Sequence, residues 1–251
     1  MISRQKGKFL LNRFTWMLFA GFLVSFSLIA FTQNPISKEN STPVVRIIMP
    51  VDNSIFRWNT AVRYSISVLD IEDGNSEYDE IGNNEVVLHI RYVPDYTKAG
   101  YRRKEVMENE PKAITLMKTN TCFNCHSQQA KLIGPSYDCI AERYTDNEKT
   151  LYVLESKIRM GSVNSWGEVK MPAQPDLKPE EAKEIVRWIL QSSQYPNEFY
   201  QVGLTGSFPA KEKISDKGVY ILTASYIDHG LADKPHLKKR GQHTIVLKPD
   251  Y

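Results

Sequence analysis

Five residues, Cys122-Phe123-Asn124-Cys125-His126, constrain this 251-residue chain more than any other stretch. Two thiols separated by two residues, with an imidazole directly after the second, make one short turn that presents three donors together. The C-x-x-C-H pattern reads as a c-type haem attachment site: each thiol adds to a vinyl group of the porphyrin and the adjacent histidine turns a ring nitrogen to the iron. That chemistry uses all three residues, and other readings use fewer. Structural zinc takes four ligands, and Cys139, the remaining cysteine, has no partner at metal-ligand spacing. A thioredoxin-type pair belongs in a βαβ setting, whereas the residues around this pentad pattern as helix. A chance match stays open on the five residues alone.

Beyond the pentad come Lys131-Leu132-Ile133-Gly134-Pro135, Ile140-Ala141-Glu142-Arg143-Tyr144, Leu154 to Gly161, Trp166-Gly167, Lys170-Met171-Pro172 and Glu180-Glu181-Ala182, leading into Val186-Arg187-Trp188-Ile189-Leu190. In that order and at those separations, residues 105–193 resemble the small class I bacterial cytochromes c. The resemblance implies an all-α domain holding one covalent haem c. Cys122 and Cys125 would be its thioether anchors, His126 its proximal iron ligand and Met171 its distal one. It also implies that Pro135 offers its carbonyl to the far nitrogen of His126, fixing tautomer and ring orientation, and that Trp166 meets a haem propionate. Spacing supports Met171 separately, because the interval from His126 leaves room for two helices and a returning loop. The rival thioether, Met160, ends a helical pattern before Gly161, where methionine usually fills a core. His/Met ligation raises the iron's potential.

Residues 1–13 carry Arg4, Lys6, Lys8 and Arg13 and no acid, and Phe14 to Phe31 is an apolar run. Residues 1–32 therefore read as a signal peptide, or as a membrane anchor through residues 14–31, since the run is long for one and short for the other. Either way the body of the protein is expected outside the cytoplasm, in the periplasm, with the positive end inside. The whole chain carries 32 basic and 29 acidic residues; without the four basic leader residues the balance falls just below neutral. No nucleic-acid footprint remains.

Past a polar tether, the period changes to strand-like alternation at Val45 to Pro50, Ala61 to Val68 and Glu85 to Val93, bounded by Pro, Asn, Asp and Gly. Tyr64, Ile66 and Val68 should share one face. With Pro50 to Ser54 and Asp70-Ile71-Glu72-Asp73-Gly74, residues 43–95 resemble a PKD-type or immunoglobulin-like β-sandwich. The acidic loop with Asp70, Glu72, Asp73, Glu77 and Asp79 offers oxygen ligands that could hold Ca²⁺, although such loops are more often simply solvated. Lys98, Arg102, Arg103 and Lys104 form a basic linker or a docking surface. The first helix of the haem segment should start near Pro111 with Ala113, Ile114 and Met117 on its apolar face. The last should run from Pro179 to Ser192, with Lys178 standing where Ser, Thr or Asp would be expected as the cap. Cys139 reads as a buried thiol without chemistry. Residues 197–251 form a short β-rich tail. His229, His236 and His243 recur every seven residues, but intervening Gly and Pro break any common helix face. The whole order resembles the cytochrome-bearing portions of secreted sugar-dehydrogenase-like proteins of Bacteroidetes type.

The expected architecture is thus multidomain: an N-terminal PKD/Ig-like sandwich, a class I cytochrome domain and a β-rich extension. The function it implies is single-electron transfer between a redox partner protein, such as a dehydrogenase or respiratory complex, and an acceptor outside the cytoplasm, without an enzymatic site. The alternative is a haem-containing binding or sensing module whose sandwich binds a glycan or a protein. A peroxidase would need a distal His or Arg, for which no motif stands out.

Overall fold

The strand β3 (Ala61–Asp70) shows the expected two-residue period, with Tyr64, Ile66 and Val68 buried and Arg63 exposed. In the computed structural model, which describes residues 39–97, 110–210, 213, 215 and 217–250, it is the centre of one of two sheets. β1 (Val44–Met49) pairs with it antiparallel, Val45 opposite Val68. β4 (Gly74–Asn75) pairs with its end. The fourth member is β7 (Thr205–Pro209), with Tyr64 opposite Gly206. Residues 1–39 part from residues 40–251 as a separate unit, and the architecture described here is that of the second.

The other sheet runs in the order β2 (Ile55–Phe56), β9 (Arg240–Pro249), β8 (Val219–Ile227), β5 (Val87–Val93), β6 (Glu198–Val202). All its pairings are antiparallel except β2 with β9. The two sheets pack on each other through one apolar core. Val45, Ile47, Tyr64, Ile66, Val68 and Phe208 come from the first sheet, and Leu88, Ile90, Tyr92, Phe199, Tyr220, Leu222, Tyr226, Ile245 and Leu247 from the second.

This pairing corrects the expected division into a sandwich at 43–95 and a separate tail at 197–251. β5 has β8 on one side and β6 on the other, and β3 takes β7 as a neighbour, so the tail supplies four strands that the first segment needs. The physical reason is the backbone: a central strand has donors and acceptors along both edges that must be paired once buried. A sandwich made of residues 43–95 alone would leave β5 with neither partner.

Residues 94–197 therefore join two neighbouring antiparallel strands, with Arg91 directly opposite Glu198. Among its described residues this long connection holds four α-helices: α1 (Lys112–Thr119), α2 (Tyr137–Arg143), α3 (Glu148–Met160) and α4 (Pro179–Gln191). Their only β feature among the described residues is an isolated bridge between Ser162 and Met171. Ala113, Ile114 and Met117 of α1 are buried, as are Ala182, Ile185, Val186, Ile189 and Leu190 of α4. These two helices share a second apolar cluster with Val87 of β5 and Tyr200 of β6, so the outer face of the sheet forms part of the helical segment's core.

At the start of α4, Lys178 has no side-chain cap of its own; instead the Glu181 carboxylate accepts the Lys178 backbone N–H at 3.0 Å. That is the returning half of a capping box. No helix among the described residues is long and apolar enough to cross a membrane. The leader of residues 1–32 and the basic stretch from Lys98 to Lys104 lie outside the described residues.

Candidate functional site

A single turn presents the pentad. α1 stops at Thr119, Thr121 takes a left-handed conformation (φ 56°), and Cys122–Asn124 form a 3₁₀ turn. The N–H groups of Cys125 and His126 both bond to the Cys122 carbonyl, at 3.2 and 3.0 Å. The turn holds both sulfurs and the imidazole on the wall of one cleft. The cleft contains about 1070 Å³ of space counting its open mouth, and Cys122, Cys125, His126, Pro135, Trp166 and Met171, the six residues singled out from the sequence, all line it. Apolar residues make up most of the rest, among them Met117, Ile140, Leu154, Ile158, Ile185 and Ile189.

The His126 ring is oriented on two sides. Its Nδ1 lies 2.7 Å from the Pro135 carbonyl oxygen, which assigns the proton to Nδ1 and leaves Nε2 with its lone pair free to bind a metal. Tyr137 stacks on the ring, with centroids 5.6 Å apart and planes at 17°. Burial holds the imidazole below its ordinary range, in favour of the neutral form, with the Pro135 carbonyl acting in the opposite sense. Gly134 fits against the same ring: a Cβ there would run into His126. Its N–H bonds to the Cys125 carbonyl at 2.8 Å, closing the loop.

Met171 comes from another element. It exchanges two backbone hydrogen bonds with Ser162, at 2.8 and 3.1 Å, just past the end of α3. Gly161 turns the chain there with φ 80°, and a Cβ on it would lie 2.9 Å from the Met171 carbonyl. Met160 is not in the cleft; it is 76% exposed, with its sulfur 3.6 Å from the Ser156 hydroxyl. Trp166 stands at the mouth, 38% exposed, with the Arg143 guanidinium 4.5 Å above its ring. Arg143 also donates to the Ser165 carbonyl at 2.9 Å, and Lys157 to the Ser165 hydroxyl at 3.1 Å.

Sequence reasoning missed Gly134, Tyr137 and Lys157 as site residues. The signal for two of them was present in Gly134-Pro135-Ser136-Tyr137, where Ser136 caps α2 through the Cys139 N–H and so sets Tyr137 on its first turn. Cys139 itself is exposed rather than buried, because α2 turns that side outward. Among the described residues no group of three or more Asp, Glu, His or Cys is placed to hold a metal ion. Some of the acidic loop's carboxylates are engaged within the protein. Asp70 accepts the N–H groups of Glu72 and Asp73, and Asp73 accepts the Tyr226 hydroxyl at 2.7 Å. The three periodic histidines separate, His229 facing Asp73 and Glu85 and His243 accepting the Ile47 N–H.

The cleft suits a flat, mostly apolar group held covalently. Neither Cys122 nor Cys125 is in a disulfide, and burial pushes the Cys122 thiol up to about 11, keeping it neutral until it reacts. The Tyr137 hydroxyl is buried with no hydrogen-bond partner among the described residues.

A family model described as Cytochrome c matches residues 112–193. Cytochrome c-552 of Nitrosomonas europaea is 36% identical over 75 residues, which cover 30% of this chain and 73% of that protein. Cytochrome c-551 of Ectopseudomonas mendocina is 39% identical over 75 residues, 30% of this chain and 90% of that one. Among solved structures, the crystal structure of wild-type Nitrosomonas europaea cytochrome c552 is similar, at 36% identity, covering 30% of this chain and 94% of that chain with a TM-score of 0.29.

Proposed function

The chain belongs to the cytochrome c family and binds haem c covalently, and on that premise we propose that it carries single electrons between redox proteins outside the cytoplasm. When bound, the haem supplies a one-electron Fe(II)/Fe(III) couple. In this reading Cys122 and Cys125 form the thioether links, His126 offers Nε2 and Met171 its sulfur. The observation that carries the proposal is the meeting in one cleft of a turn before α2 and a loop after α3, bringing both axial candidates together.

The roles of the remaining residues follow from their places. Pro135 holds the Nδ1 proton of His126 and so keeps the ring turned and electron-rich. The apolar wall from Met117, Ile140, Ile158 and Ile189 excludes water and favours the less charged, reduced state. Lys157, which lines the cleft, and Arg143, over Trp166, put positive charge near its mouth, where acidic substituents of the cofactor would sit. With His126 and Met171 both holding the iron, no position would stay open for a substrate, which supports carriage over gas sensing or peroxidase chemistry. Secretion, as in the Bacteroidetes proteins of similar order, rests in this proposal on the leader of residues 1–32, with a dehydrogenase or respiratory complex as electron donor. A PKD/Ig-like relationship for the two-sheet body stands on its sequence pattern.

The test is to express residues 33–251 with a c-type maturation system and to record oxidised and reduced spectra beside a haem-stained denaturing gel. Haem that survives denaturation, with the weak red band of methionine on ferric iron, is the expected result. Covalent haem without that band would remove Met171 from the iron, and absence of covalent haem would remove the pentad.

A further inference from the structure

We propose that Gln128 is a positioning residue through which the edge of the β-sandwich fixes the proximal side of the haem site; the inference rests on His126 being the iron's proximal ligand. β6 is the last strand of its sheet. An edge strand has outward N–H and C=O groups with no strand to pair them, and here the edge is covered by the haem loop, where unpaired groups are costly. Gln128 supplies what a missing strand would. Its side-chain oxygen accepts the Tyr200 N–H at 2.9 Å and its side-chain nitrogen donates to the Glu198 carbonyl at 3.2 Å. A primary amide has one acceptor and donors on the same plane, so one side chain completes a rung of the ladder. Gln128 is 4% exposed.

The same residue reaches the iron site along two routes. It lies two positions after His126. Its own carbonyl accepts the Asp138 N–H at 3.0 Å, next to the bond from the Tyr137 N–H to the Ser127 carbonyl, also at 3.0 Å. These two bonds seat the first turn of α2, which carries the ring stacked on His126. Aromatic contacts extend the connection back to the sheet: Tyr137 meets Trp188 with centroids 6.2 Å apart, Trp188 meets Tyr200 at 5.8 Å, and Tyr200 stacks on His89 of β5 at 4.6 Å. Both the imidazole and the carbonyl that orients it therefore belong to a loop held against β6. Releasing that loop loosens the bond from Nδ1 to Pro135, makes the imidazole a poorer donor, and shifts the iron toward the reduced state.

Three readouts on the full haem-loaded chain test this: amide exchange at Tyr200, the midpoint potential, and the ferric proton NMR signals of the His126 ring. Gln128→Ala is expected to speed Tyr200 exchange roughly tenfold, to move the His126 signals and to raise the potential. Gln128→Glu tests the chemistry of the side chain. As a carboxylate it keeps the bond from Tyr200 but repels the Glu198 carbonyl; protonated, it regains both a donor and an acceptor, and burial moves that change above the ordinary carboxylate range. Its potential should depart from the parent's on the alkaline side of that change and return to the parent's, measured at the same pH, on the acid side. Faster exchange with potentials and His126 signals equal to the parent's in both variants would overturn the proposal, leaving Gln128 a clamp for the strand alone. A parent chain without covalent haem would overturn the haem assignment as well, which separates the two failures.

Discussion

At the scale of single residues the site depends on a few side chains whose neighbours leave little choice. Met171→Ala is expected to leave the covalent haem in place, lower the midpoint potential and admit added imidazole or cyanide to the iron, because the thioether that favours Fe(II) is gone. A visible spectrum and a redox titration check it, and an unchanged potential would rule out Met171 as a ligand. Gly134→Ala acts on the other axial residue. The added methyl would occupy the space of the His126 ring, so haem incorporation should fall sharply, measured as haem per protein after purification. Met160 shows how much a few positions matter: it is a methionine in the same region, yet it faces solvent.

At the scale of elements, the helices hold by packing and the start of α4 by a single carboxylate. Glu181→Ala should cost about 0.5–1 kcal/mol by removing the acceptor for the Lys178 N–H, and Lys178→Ser should add a similar amount through the missing forward half of the box. Thermal unfolding of the two variants beside the parent decides both. β6 carries a pH-dependent contribution. The Glu198 carboxyl sits below its ordinary 4.5 chiefly through its contact with His89, whose Nε2 is 3.4 Å away. The folded value is the lower one, so this stability is fully present above about pH 4.5 and is lost as pH falls through the folded value. Glu198→Gln should flatten that part of the stability profile, and a profile parallel to the parent's would contradict it.

At the scale of the whole molecule, the haem segment and the sandwich fold as partners. Ending the chain after Ser193 would remove β6 to β9, leaving β5 without either neighbour and the first sheet without β7. Such a fragment should lose its β signal in circular dichroism and expose residues 43–93 to proteolysis. Residues 110–193 alone would uncover Ile114, Met117 and Ile189, which now pack with Val87 and Tyr200. That piece should melt well below the intact protein, by an amount that a Tyr200→Ala change in the full chain reproduces in part, about 2–4 kcal/mol for a large buried side chain. An equal melting temperature for fragment and parent would show the two bodies to be independent.

Much of the site was legible in the sequence because its chemistry is local. Cys122, Cys125 and His126 share one turn, Pro135 follows within ten residues, and the family pattern pointed to Met171, which lines the same cleft. The periods of β3, α1 and α4 could likewise be read directly, since each element buries one stripe of its own residues. The rest waited on contacts between distant segments. Strand pairing has no signature within a strand, so nothing in Val87 to Val93 indicates that residues 198–202 and 219–225 lie on its two sides. The exposure of Cys139 and Met160 depended on which way short helices turned. Gln128 reads as an ordinary polar loop residue until the tertiary structure sets the edge of β6 2.9 Å from its amide. Local chemistry, carried by covalent neighbours, belonged to the sequence by itself; hydrogen bonds and packing across roughly a hundred residues of intervening chain were decided by the fold.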